Sequence, residues 1–168
     1  MNNPRLLHAL PALACAGLLA FGYYLQYFQD QDPCPLCLIQ RGFFYAIIAV
    51  FAAAALHAPG RTGSALYGAG GALFALSGFG VAARQVWLQH LPADQVPACG
   101  PDLFFMMENF PLKRILEKVF YGSGQCAEVK WRFLGLSIAE WSLACFAALA
   151  AYAAWLAFSG KGQRSVRR

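Results

Sequence analysis

The chain of 168 residues carries 13 basic and 8 acidic side chains, a charged share of 12% beside a hydrophobic share of 59%. Soluble domains hold about 25% charged residues, so a water-soluble globule is excluded for want of polar surface, and disorder is excluded by the same apolar excess. An integral membrane protein with length for one compact unit remains.

Taken in chain order, the segments Leu6–Gln29, Gly42–Gly60, Thr62–Ala83 and Trp141–Gly160 contain no Asp, Glu, Lys or Arg. A helix needs about 20 residues to cross a hydrocarbon core. Four spans are therefore predicted, at about 9–28, 39–57, 65–83 and 138–158. The first follows Arg5, and Ala12-Leu13-Ala14-Cys15 resembles a lipoprotein cleavage site. Hydrophobicity continues through Phe21, Tyr23, Tyr24, Tyr27 and Phe28, however, which marks a retained span. None of the runs alternates at period two, so a β-barrel is excluded.

Two loops lie on one side of the bundle, at about 29–38 and 84–137. In the longer one, Leu112, Ile115, Leu116, Val119 and Phe120 form one apolar stripe after Pro111, opposite Lys113, Arg114, Glu117 and Lys118. The pattern predicts a short amphipathic helix ending at Gly122-Ser123-Gly124, lying on the lipid surface or packed on the ends of the bundle. The expected fold class is all-α: a single-domain integral membrane four-helix bundle over 1–168, with this helix in its second loop.

Charge bookkeeping sets the orientation. The N-terminus, the 57–64 turn and the tail at 161–168 carry Arg5, Arg61, Lys161, Arg164, Arg167 and Arg168 and no acid, whereas all eight acids lie on the other side. The positive-inside rule puts both termini in the cytoplasm and both loops outside. The basic excess is thus topological, and no nucleic-acid partner is implied.

This topology sorts the six cysteines. Cys15 and Cys145 fall within spans and read as small apolar packing residues. Cys34 and Cys37 share the first external loop or its junction with the second span, and Cys99 and Cys126 share the second loop. In an oxidising exterior, thiols near one another tend to become disulfides.

Asp32-Pro33-Cys34-Pro35-Leu36-Cys37 predicts an extended entry and a helix start near Leu36 or Cys37. Cys37 then occupies the first turn, where free N–H groups and the helix dipole favour a thiolate. Arg41 stands one turn on, on the same face, a costly place for a guanidinium unless an anion uses it. A redox pair, a structural staple with a snorkelling Arg41, and a zinc site of four cysteines are all open on spacing alone. The 26 residues between Cys99 and Cys126 weigh against zinc. Cys99 sits in Val96-Pro97-Ala98-Cys99-Gly100-Pro101, where backbone pairing is poor. A disulfide closing so long and exposed a loop is of the labile, exchanging kind, with a static staple as the alternative.

These residues together resemble the DsbB family of bacterial inner-membrane disulfide-generating proteins. The resemblance rests on Cys-Pro-Leu-Cys followed by Arg41, the run Arg84-Gln85-Val86-Trp87-Leu88-Gln89, and Cys99 in its Pro-rich segment. Gly124-Gln125-Cys126-Ala127-Glu128 continuing into Trp131-Arg132-Phe133-Leu134-Gly135-Leu136 is the most specific match. Vitamin K epoxide reductases, which carry their Cys-x-x-Cys in a late span, have a different order.

The resemblance implies a quinone-dependent thiol oxidase with Cys34, Cys37, Cys99 and Cys126 as its catalytic cysteines. A periplasmic partner like DsbA would attack a Cys99–Cys126 disulfide at Cys99, and Cys126 would then engage Cys34 and free Cys37. Electrons would leave to ubiquinone or menaquinone beside Arg41, with Arg84 and Gln85 as weaker quinone contacts. Gln40 stands where some relatives have an acid, and Gln85 near where some carry a His. The competing function is a disulfide-stapled structural or assembly protein without turnover.

Overall fold

The computed structural model describes residues 4–92, 94–96, 111, 124–129 and 131–159. Four long helices dominate: α1 (Pro4–Phe28), α2 (Pro35–His57), α3 (Arg61–Gln89) and, last in the chain, α5 (Ile138–Ser159). Between α3 and α5 stand a one-turn helix, α4 (Gly124–Ala127), and a hairpin of β1 (Arg132–Phe133) and β2 (Leu136–Ser137). The expected all-α class stands, and all four long helices are long and apolar enough to cross a membrane. The amphipathic helix expected after Pro111, Cys99 and the tail at 161–168 lie outside the described residues.

The helix boundaries have local causes. Cys34 caps α2 in an extended conformation (φ −68°, ψ 163°) and Pro35 takes the first helical position, where its missing N–H costs nothing. The helix thus begins one or two residues before the expected start and still holds Cys37 in its first turn. At its other end the Ala58 N–H closes on the Ala54 carbonyl in a left-handed cap. The run Arg84–Gln89, expected to follow span three, is instead the last part of α3.

The hairpin turns at Leu134 (φ 52°) and Gly135 (φ 83°), the paired left-handed geometry of a type I′ turn, and pairs Arg132 with Ser137 and Phe133 with Leu136. Ser137 then caps α5. The Glu140 carboxylate accepts its N–H at 2.6 Å, and its Oγ accepts the Glu140 N–H at 3.3 Å, a reciprocal capping box. The Ser137 hydroxyl also donates to Gln89 at 2.7 Å, tying the start of α5 to the end of α3.

Helix packing follows residue size. α2 lies against α1 and α3, and α3 against α5. Phe44, Phe51 and Phe146 fill the centre with Ile47, Leu19 and Leu156, and the Phe44 and Phe146 rings stack at 4.2 Å between centroids. The helices approach closely because α3 offers glycines to them. A Cβ at Gly68 would lie 2.8 Å from the backbone nitrogen of Ala157, and one at Gly78 would collide with the Phe146 ring. Large apolar residues including Leu13, Leu56, Leu66, Leu73 and Phe158 face outward. In a multi-pass membrane protein that surface meets lipid rather than water.

Candidate functional site

Three of the four cysteines singled out in the sequence converge at one end of the bundle. Cys34 and Cys37, at the start of α2, place their sulfurs 3.2 Å apart as a dithiol pair. Cys126 arrives on α4, fully buried in a small cluster with Cys34, Leu36, Val81 and Leu88. The Cys34 thiol hydrogen bonds with Cys126 and with Cys37, so it stands between the other two sulfurs. Those two contacts, Cys126 first, and burial push the Cys34 thiol well above the ordinary range.

Gln85, in the last two turns of α3, reaches the same sulfurs. Its Nε2 lies 3.3 Å from Cys37 Sγ and 3.4 Å from Cys34 Sγ. Its Oε1 accepts from Gln40 Nε2 at 2.7 Å and lies 3.6 Å from Cys37 Sγ.

Arg41 is held from α1. Its guanidinium donates to Gln26 Oε1 at 2.6 Å and to the Gly22 carbonyl at 3.1 Å, and its Cζ lies 4.6 Å from the centre of the Tyr23 ring. Tyr23 in turn shares a 2.8 Å hydrogen bond with the Tyr45 hydroxyl. Two donor directions and a cation–π contact fix the planar fork, an arrangement lysine cannot reproduce.

A cavity of about 1260 Å³ joins these groups. Cys34, Cys37, Arg41, Gln26 and Gln85 form its polar part. Leu18, Leu19, Phe44, Ile138, Trp141 and Cys145 form apolar wall, and Trp131 and Phe133 flank it. Phe21, Trp131, Phe133 and Trp141 make a chain of ring contacts with centroids 5.9 to 6.2 Å apart, and the Trp141 indole N–H donates to the Phe133 carbonyl at 3.1 Å. A flat apolar ring with polar oxygens at its edge fits such a space: aromatic and aliphatic walls for its faces, N–H donors for its oxygens.

Of the residues expected beside quinone, Arg41 and Gln85 line the cavity, and Gln85 also faces the two sulfurs. Arg84 is not among the lining residues; its guanidinium lies 4.3 Å from the centre of the Trp87 ring. His90 is exposed at the end of α3, its ring nitrogen 2.8 Å from the Val86 carbonyl. Cys15 is buried in the core and Cys145 reaches the cavity wall. Cys99 lies outside the described residues. Among the described residues no cluster of three or more His, Cys, Asp or Glu side chains is arranged to hold a metal.

In the sequence Gln26 went unmarked, and Gln40 stood out only as a departure near the expected quinone region. Both are uncharged, so a count of charges does not register them. The available signal was an amide inside an apolar run, which in a membrane span faces the bundle interior or a cavity.

Comparison with known proteins identifies a family. The chain matches the family model for "Disulfide bond formation protein DsbB" over residues 4–156. A Disulfide bond formation protein B of Hahella chejuensis is 52% identical over 142 residues, covering 84% of this chain and 86% of the relative. One of Chromobacterium violaceum is 50% identical over 147 residues, covering 88% and 89%. One of Azoarcus sp. is 49% identical over 158 residues, covering 94% of each chain.

Proposed function

The chain belongs to the DsbB family of disulfide bond formation proteins, and from that premise we propose that it is a membrane thiol oxidase that reoxidises a DsbA-like periplasmic dithiol protein and passes the electrons to a membrane quinone. The observation that carries this reading is the position of Cys34, in contact with both Cys126 and Cys37 at the edge of the cavity that holds Arg41.

The partner's thiolate attacks Cys99 of a Cys99–Cys126 disulfide, forms a mixed disulfide and expels Cys126 as thiolate. The partner's second thiol resolves the mixed disulfide, leaving the partner oxidised and Cys99 reduced. Cys126 attacks Cys34 of the Cys34–Cys37 disulfide, forms a Cys34–Cys126 bond and releases Cys37 as thiolate. Cys99 then re-forms its disulfide with Cys126, and Cys34 and Cys37 remain as the reduced pair. Cys34 and Cys37 re-form their disulfide by giving up two electrons and two protons, which a bound quinone would accept. Net, two partner thiols become a disulfide and one quinone becomes a quinol.

The residues of the chain divide this work. Cys37, in the first turn of α2, leaves where the helix dipole favours its negative charge. Arg41, fixed by Gln26, Gly22 and Tyr23, would supply N–H donors to a quinone oxygen. The apolar walls formed by Leu18, Leu19, Phe44 and Trp141 would hold its ring. The acids and these cysteines face the periplasm, and both termini the cytoplasm. A membrane site is required because quinones dissolve in lipid and the partner in water.

The test uses purified protein with quinone and a reduced thioredoxin-like partner, followed by quinone absorbance. Thiol-dependent quinone reduction that Cys37→Ser abolishes supports the reading. No such reduction, with Cys37→Ser behaving like the parent, overturns it in favour of a stapled structural protein. Cys99→Ala is expected to abolish partner oxidation while the Cys34–Cys37 pair stays oxidised by quinone. Alkylation that finds the pair reduced would reverse the proposed order of electron flow.

A further inference from the structure

Among the described residues, Gln40 and Gln85 are the carboxamides withdrawn from the surface, at 3% and 4% exposure. Burial of that depth obliges an amide to find partners for both its oxygen and its nitrogen. For Gln85 both ends reach the Cys37 sulfur, the nitrogen more closely than the oxygen. Gln40, one helical turn beyond Leu36 on α2, donates its Nε2 hydrogen to Gln85 Oε1 at 2.7 Å. With the oxygen's short bond taken by Gln40, the amide nitrogen is the end nearer the sulfurs, 3.3 Å from Cys37 against 3.6 Å for the oxygen, and 3.4 Å from Cys34.

The direction of that amide has a chemical consequence. A thiol can either donate or accept, but a thiolate only accepts. An N–H held on Cys37 Sγ therefore stabilises the sulfur when it is charged, and a carbonyl oxygen in the same place would repel it. The lower the local dielectric, the more the sulfur depends on that donor.

We propose that Gln40 and Gln85 form a positioning pair: Gln40 fixes the orientation of the Gln85 amide so that its N–H sits on the Cys37 sulfur and favours the thiolate that the oxidase reading requires. The assignment deepens that reading and differs from the sequence expectation, in which Gln85 is a quinone contact. It makes the thiolate-supporting group an uncharged amide from α3, acting beside Arg41, whose own anchors are on α1.

The experiment compares the reduced full-length protein with Gln85→Met, which keeps length and bulk but has no N–H, and with Gln40→Met, which touches neither sulfur. Each is extracted in detergent and its melting compared with that of the parent. Iodoacetamide labelling at neutral pH is then followed at each cysteine by mass spectrometry, with neither quinone nor partner present. Gln85→Met is expected to slow alkylation of Cys37 about tenfold, the usual scale for losing a hydrogen bond to a charged group, while Cys145 reacts as in the parent. Gln40→Met is expected to give a smaller slowing of the same kind. Should Gln85→Met fail to fold, Gln85→Asn, which draws the amide back by one methylene, replaces it with the same expectation.

In turnover with a short-chain quinone, kcat should fall in Gln85→Met with KM unchanged. Parent-like alkylation of Cys37 in folded variants overturns the proposal. So does a raised quinone KM at parent kcat, which would return Gln85 to the role of a quinone contact. Slowed Cys37 alkylation in a protein that never reduces quinone would overturn the oxidase reading alone, and leave the amide pair as assigned.

Discussion

Arg41 on α2 donates to Gln26 on α1 at 2.6 Å, so the cation of the cavity is aimed by a neutral amide from another helix. Gln26→Leu is expected to leave the guanidinium without that acceptor and to raise the quinone KM about tenfold, the lower end of the 1.5–3 kcal/mol of a charge-assisted hydrogen bond. Arg41→Lys should raise it further, because an ammonium cannot serve Gln26, the Gly22 carbonyl and the Tyr23 face from one plane. Steady-state kinetics over a quinone concentration series measures both; an unchanged KM in Arg41→Lys would remove Arg41 from the quinone site.

The contact of Cys34 with Cys126 predicts a specific cross-link. In a protein carrying both Cys37→Ser and Cys99→Ser, mild oxidation should join Cys34 to Cys126, because each has lost its alternative partner. Peptide mapping under non-reducing conditions would detect the bond. If both residues are instead recovered as separately alkylated thiols, the sulfurs do not meet in the membrane-embedded protein.

The Cys34 thiol, raised by its hydrogen bonds to Cys126 and Cys37 and by burial, carries a pH dependence of defined sign. The folded chain holds this proton more tightly than the unfolded chain, whose thiols titrate near about 8.5. The resulting stability is fully present below that pH and is lost as pH rises above it. Reduced protein should therefore melt at progressively lower temperature in alkaline buffer. Cys34→Ser, with no group titrating there, should show a flatter profile; equal alkaline slopes in the two proteins would contradict this account.

Gly68 sets the separation of α3 and α5, since a Cβ there meets the backbone of Ala157 at 2.8 Å and the carbonyl oxygen of Ala153 at 2.9 Å. Backbone cannot rotate away as a side chain does. Gly68→Val is expected to destabilise the protein by about 1–3 kcal/mol, the cost of overpacking a tight contact. Gly17→Val, at a glycine whose Cβ would meet nothing within 4 Å, is the control. Detergent melting temperatures compare them, and equal losses would show that helix propensity rather than packing is being measured.

Much of the fold was legible because lipid imposes a simple rule on sequence. Charge-free runs of span length marked the four long helices, and Pro35 beside Cys34 marked the start of α2 to within one or two residues. The end of α3 was less legible: Arg84 breaks the charge-free run, yet the helix continues to Gln89 because Gln85 and Leu88 still face the interior. Ser137-Ile138-Ala139-Glu140 is a capping box readable in sequence, whereas its third tie, the Ser137 hydroxyl on Gln89, joins residues 48 apart and is not. In the site, Cys34, Cys37, Cys126 and Arg41 could be singled out because thiols and an unpaired cation at a membrane boundary are chemically conspicuous. Gln26 could not, since an amide has neither charge nor reactivity until a partner is placed beside it.

By itself the sequence determined the membrane class, the number of spans and the family. Each of these depends on composition or on spacing along the chain, and hydrophobic length and short-range periodicity are local quantities. Only the tertiary structure decided that Cys126 lies against Cys34, that Gln85 turns its nitrogen to Cys37, and that Arg41 is aimed from α1. The physical reason is that Gln85 and Cys34 are 51 residues apart and Arg41 and Gln26 are 15 apart. Hydropathy tells a helix which face to bury, but the rotation and depth at which two buried faces meet come from side-chain packing, here from glycines against phenylalanine rings and backbone.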